Sequence, residues 1–180
     1  EKARESLLQA IALDSTYADA LNKMCELLLK QEVYDEALQY FRKAVALDNS
    51  HADAYTNLAH LARKAGKYQL AMEQYSRAIA SNPSQPDALY YRGFLHSLNG
   101  NYSLALADIN KSLEVKPGDG LRYGTLAKIY AQLRKKSDML TYLKLALDNG
   151  YPAFELQKDP AFLPYQKEEE FQALMRTRDS

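Results

Sequence analysis

A chain of 180 residues can bury a core without disulfides or a structural metal, and its single cysteine, Cys25, excludes an internal disulfide. Lys+Arg and Asp+Glu stand at 23 each, which removes the net-basic footprint of a nucleic-acid binder or a polybasic membrane-surface protein. The longest apolar runs, such as Leu27-Leu28-Leu29, are far short of the roughly 20 residues that span a bilayer, so no membrane insertion is expected. Three histidines, His51, His60 and His96, show no paired ligand spacing with Cys25, and no Gly-rich phosphate cradle is present. Neither a metal nor a cofactor is expected, and no catalytic group stands out. Ala, Leu, Glu, Lys and Gln are abundant while Val, Ile and Thr are scarce, a balance that favours an all-α chain. The chain starts at Glu1 with no charged-then-apolar leader, which reads as a processed product or an excised fragment. The compartment is left open by the sequence, with a cytoplasmic location slightly favoured over an exported form whose leader has been removed.

The sequence repeats itself every 34 residues: Tyr34, Tyr68 and Tyr102 keep that spacing, as do Gly66 with Gly100 and Pro83 with Pro117. The column Ala3, Ala37, Ala71, Ala105 runs through four copies, and Ala10, Ala44, Ala78, Ser112, Ala146 through five. In chain order, residues 1–17 match only the second half of a copy. Leu7, Ala10 and Ile11 of that helix would face open space, so further repeats, a partner or a second copy of the chain is expected to cover them. Full copies follow at 18–51, 52–85 and 86–119, then a looser one at 120–150.

Within a copy the apolar period is helical twice over. Ala54, Tyr55, Leu58, Ala59, Leu61 and Ala62 mark one face of a first helix, and Leu70, Ala71, Tyr75, Ala78 and Ile79 one face of a second. Gly66 suits the left-handed residue that ends the first helix, and Asn82-Pro83 ends the second, because proline cannot continue a helix. The small residues have a steric cause: helices that cross about 8–10 Å apart need them at the crossing point. Ala59 with Ala71 fill that role, and Cys25, Gly93 and Ala127 are the equivalents of Ala59. Residues 151–180 change character and are expected to be capping helices. Asp159-Pro160 reads as an N-cap followed by Pro, and Glu168-Glu169-Glu170 suits a helix N-terminus. Phe154, Phe162, Phe171 and Leu174 are expected to cover the last copy.

These features resemble the tetratricopeptide repeat family: the small residue eight places into each copy, Gly66-Lys67-Tyr68 and Gly100-Asn101-Tyr102 at the turns, Ala37 with Phe41 and Ala71 with Tyr75 in second helices, and the closing Pro83 and Pro117. The chain departs from that pattern at Glu32-Val33 and Asn49 in the first full copy, and at Arg134-Lys135-Lys136-Ser137 and Met139 in the last. The resemblance implies a right-handed α-solenoid of stacked helix-turn-helix repeats with a short helical C-terminal cap, acting as a non-enzymatic scaffold that binds a peptide or protein segment in a concave groove.

First helices line such a groove. The candidate binding residues are Asn22, Lys23, Glu26 and Lys30; then Asn57, His60, Arg63 and Lys64; then Tyr90, Tyr91, Phe94 and Lys128. Tyr90, Tyr91 and Phe94 either anchor a peptide or pack in part against neighbouring helices. The cations form a mixed fringe suited to acidic side chains or a C-terminal carboxylate. At the positions of the family's carboxylate clamp stand Asn22, Glu26, Asn57, Asp87 and Tyr91, of which Asn57 alone agrees, so the chaperone-tail partner class is not expected. Arg92 replaces the apolar residue of other copies (Met24, Leu58, Leu126), and a buried guanidinium requires a partner. The family's Arg-Gly followed by Asp makes Asp108 that partner, in a structural ion pair. Two other readings compete with groove binding: assembly through the uncovered helix of residues 1–17, and a regulatory domain of a larger protein.

Overall fold

The computed structural model describes residues 2–14, 18–47 and 52–176, and among them every regular element is helical. Among the described residues are nine helices of 12 to 14 residues: α1 (Lys2–Leu13), α2 (Ala18–Lys30), α3 (Tyr34–Leu47), α4 (Ala52–Lys64), α5 (Tyr68–Ser81), α6 (Pro86–Leu98), α7 (Tyr102–Val115), α8 (Gly120–Gln132) and α9 (Lys136–Asp148). Three short elements close the described chain: α10 (Ala153–Lys158), a 3-10 helix at Pro160–Tyr165, and α11 (Glu169–Arg176). None of the described helices is long and apolar enough to cross a membrane.

The turns inside the pairs share one geometry. Residues 32, 66, 100 and 134 all have positive φ: Glu32 58°, Gly66 71°, Gly100 74° and Arg134 57°. The amide after each closes back five residues onto the preceding helix, Val33 to Leu28 O at 3.0 Å, Lys67 to Ala62 O at 2.8 Å, Asn101 to His96 O at 2.9 Å and Lys135 to Tyr130 O at 2.9 Å. That bond satisfies a carbonyl the helix end would leave unpaired. The geometry is kept where glycine is missing.

The helices fall into two compact units, residues 1–88 and 89–180. In the first, α2 packs on α3 and α4 on α5 through the small-residue columns: Cys25, Ala37, Ala59 and Ala71 are all buried. The Cys25 thiol donates to Ala37 O at 3.5 Å, so this cysteine is a buried packing residue. Around the crossings lie Leu21, Met24, Leu28, Leu58 and Tyr75. Helix α1 has no buried residue; Leu7, Ala10 and Ile11 are half-buried, and Arg4 pairs with Glu36 of α3 at 2.6 Å.

In the second unit, Gly93 is the small residue at the α6–α7 crossing. A Cβ there would lie 2.8 Å from Ile109 Cγ1 and 3.1 Å from Ala105 O. Met139, which replaces alanine in the last copy, is nonetheless fully buried, beside Ala127, Leu143 and Leu147. The capping segment covers this cluster with Leu156, Phe162, Tyr165, Phe171 and Met175, and Tyr165 donates its hydroxyl to Ala131 O at 3.2 Å. One expected cover residue lies elsewhere: Phe154 is 53% exposed, with the Lys158 ammonium 5.4 Å from its ring centre. Residues two apart lie on opposite sides of a helix, so burying Leu156 turns Phe154 outward. Glu169 and Glu170 open α11, and Lys136 pairs with Glu168 at 2.6 Å and with Glu170. Those two carboxylates hold the Lys136 ammonium above its ordinary range.

Candidate functional site

A helix that packs one stripe against its partner leaves another stripe for ligands, and side-chain size decides which aromatic goes where. On α6, Tyr90 and Tyr91 are adjacent and so point about 100° apart. Tyr90 is drawn inside, 4% exposed, into a cluster with Ala105, Ile109, Leu126 and Ile129. Thr125 donates to Leu121 O at 2.9 Å, so at 3.1 Å the Tyr90 hydroxyl donates to Thr125 Oγ1. Burial pushes the Tyr90 hydroxyl up to about 12. The buried Arg122 guanidinium sits 5.6 Å from the Tyr90 ring centre. Of the two alternatives for Tyr90, anchor or packing residue, the structure takes packing.

Tyr91 and Phe94 are half-buried and three residues apart, which places them on one face of α6. Tyr91 meets the Tyr90 ring edge-on at 4.8 Å, and Ser97, one position further along that face, donates its hydroxyl to Phe94 O at 2.7 Å. On α8, Lys128 is engaged: its ammonium lies 2.7 Å from Asp159 Oδ2 and 5.9 Å from the Tyr151 ring centre. Asp159 also caps the 3-10 helix by accepting from Ala161 N at 2.9 Å. Burial lowers the Lys128 pKa, but Asp159 and Tyr151 together outweigh it and the net shift is upward.

In the first unit, Asn57 and Lys64 on α4 are exposed, and His60 and Arg63 are half-buried. The Tyr75 hydroxyl lies 2.8 Å from His60 Nδ1, and the rings meet edge-on at 5.5 Å. Burial first, then the neighbouring Arg63 cation, lowers the His60 pKa, so this imidazole is neutral at pH 7. With its proton on Nε2 the neutral ring accepts a hydrogen bond from the Tyr75 hydroxyl at Nδ1, and with its proton on Nδ1 it donates one to that oxygen. Lys23 and Lys30 on α2 are exposed, whereas the side chains of Asn22 and Glu26 lie outside the described residues.

Arg92 and Asp108 form a two-pronged pair between α6 and α7: Nε to Oδ2 and Nη2 to Oδ1, both 2.7 Å. With side-chain exposures of 23% and 12%, both groups are largely withdrawn from water. They belong to the packing between two helices.

Sequence reasoning overlooked a cleft among α3, α4 and α5, about 340 Å³, lined by Arg42, Val45, Ala46, Tyr55, Leu58, Gln74 and Arg77. A signal for it exists in the repeat columns. Gln74 is the equivalent of Asp108, and Leu58 of Arg92, so one copy has a polar residue without the cation that matches it in the next. Among the described residues, no group of His, Cys, Asp and Glu is arranged to hold a metal ion.

Paired helices of this length, small residues at the crossings and a 34-residue period define a helical-repeat protein. Two tetratricopeptide repeat profiles match the chain, one over residues 16–84 and the other over residues 56–120. The chain belongs to the tetratricopeptide repeat family, whose members are scaffolds for protein–protein interaction.

Among solved structures it is similar to MamA, at 24% identity and a TM-score of 0.76, over 81% of this chain and 85% of that one. MamA from Desulfovibrio magneticus gives 19% and 0.76, over 91% and 97%. YrrB, a TPR protein with an unusual peptide-binding site, gives 17% and 0.72, over 95% and 89%. At these identities the likeness shows the fold. No curated protein sequence matches the chain.

Proposed function

We propose that the chain binds an extended segment of a partner protein on the faces of its first helices, with Tyr91 and Phe94 of α6 as the principal contacts. The observation that carries this reading is the separation of the α6 aromatics. Tyr90 is buried and has a hydrogen-bond partner, whereas the neighbouring pair keeps part of its area open to solvent. Rigid aromatic side chains give large contact area at small entropy cost, so a half-open pair beside a packed tyrosine suits a peptide side chain better than bulk water. Lys128 serves the cap through Asp159, so it adds nothing to this surface. Within the first unit by itself, the exposed Asn57, Lys64, Lys23 and Lys30 form a separate polar and cationic surface suited to acidic side chains. That YrrB has a peptide-binding site on the same kind of scaffold supports the reading.

The test is capture of partners by the wild-type chain beside a Tyr91→Ala, Phe94→Ala double variant, with Tyr68→Ala as the control for an exposed tyrosine elsewhere. The double variant should lose most of the captured protein and the control none. Equal capture by all three would discard the reading.

Self-association through α1 is a second reading, favoured by its lack of any buried residue and by Leu13, 90% exposed. Light scattering over a hundredfold range of concentration should then show a mass that rises, and Leu8→Glu should abolish the rise. A constant monomer mass removes this reading.

A further inference from the structure

The cleft among α3, α4 and α5 has three properties together. Its apolar lining comes from Val45, Ala46 and Leu58. Its lining includes two exposed guanidiniums: Arg77, paired with Glu73 of the preceding turn at 2.7 Å, and Arg42. Its wall holds Gln74, 4% exposed, whose Oε1 is buried without a hydrogen-bond donor. A buried acceptor left unmatched is costly, so the side chain has a reason beyond packing to be there.

The repeat columns explain the vacancy. In the next copy the equivalent residue, Asp108, receives two hydrogen bonds from Arg92 across the helix pair. Here the residue opposite is Leu58, which has nothing to donate, and two arginines line the cleft instead.

We infer that this cleft is a second binding site, for a glutamate residue of an extended segment of a partner protein. Its carboxylate meets Arg42 and Arg77, its methylenes cover Val45 and Leu58, and a backbone N–H of the segment donates to Gln74 Oε1. The acceptor decides against a phosphate monoester, whose dianion just above neutral pH has oxygens that only accept and would leave Gln74 unmatched. The inference uses no residue of the α6 face, so the two stand or fall separately.

The probe is an acetylated, amidated alanine pentapeptide with one central glutamate, titrated into the whole chain while the Gln74 side-chain amide and the Arg42 Nε–H are followed by NMR. Both signals should shift and saturate below about 10 mM. The peptide with glutamine in place of glutamate, and methyl phosphate at pH 7.5, should each bind at least about tenfold more weakly, the size expected from one charge-assisted pair. Arg42→Gln, at an exposed position, should weaken the glutamate peptide by a similar factor. Gln74→Leu should weaken it too, while raising the melting temperature by removing the unmatched acceptor. Equal affinity for the glutamate and glutamine peptides, methyl phosphate binding as tight as the peptide, or no saturable shift in the wild-type chain would each overturn the site.

Discussion

Position 32 and its equivalents 66, 100 and 134 carry Glu, Gly, Gly and Arg, yet all four take the left-handed conformation. For a residue with a Cβ that conformation costs about 1–2 kcal/mol, and the closing bonds from residues 33 and 135 offset it. Glycine has no such cost in the fold but loses more freedom on folding. Glu32→Gly and Arg134→Gly should therefore each raise stability by about 0.5–1 kcal/mol in urea unfolding, and Gly66→Ala should lower it by a similar amount. A loss of stability in both glycine variants would mean the turn is not strained. The sequence shows where the turn falls. It does not show that two non-glycine residues accept the same backbone angles, because that depends on how strongly the flanking helices hold the turn.

Between elements, the decisive contacts are those where one helix supplies what the next one needs. An arginine standing in an apolar column shows that Arg92 needs a partner, and the resemblance to the family points to Asp108 as that partner. Removing one member leaves the other partly buried and uncompensated, while replacing both with apolar residues removes the desolvation cost as well. Asp108→Ala should thus cost about 2–3 kcal/mol, and Arg92→Met combined with Asp108→Leu should cost less than either single change. Chemical denaturation of these variants, both single changes included, beside the wild type measures this, and additive losses would show that the two groups do not interact. The cap shows the opposite case. Phe154 and Leu156 are both reasonable core residues in the sequence, and only the phase of a six-residue helix against the underlying cluster chooses Leu156.

Across the whole molecule, pH acts through the imidazoles. Burial is the largest cause and lowers the pKa of both His60 and His96; Arg63 and Arg92 add to it, while Asp87 beside His60 and Asp108 beside His96 oppose it without reversing the shift. The folded chain then binds these protons only below the ordinary histidine value, whereas the unfolded chain binds them at about 6.5. Their contribution is fully present above about pH 6.5 and is lost as pH falls from there toward the folded-state values. The melting temperature should drop between about pH 7.5 and pH 5.5. His60→Gln, which can still hydrogen-bond to Tyr75, should make that drop smaller. An unchanged slope in His60→Gln would remove His60 as its source. Period, helix pairing, turn positions and small crossing residues were determined by sequence alone, because each rests on spacing along the chain and on the steric demands of a residue's nearest neighbours. The tertiary structure alone decided that Tyr90 is withdrawn while Tyr91 is not, that Lys128 serves the cap, and that Gln74 is left unmatched against Leu58. Each of those outcomes depends on which atoms another helix presents at that place, and a linear pattern does not contain that.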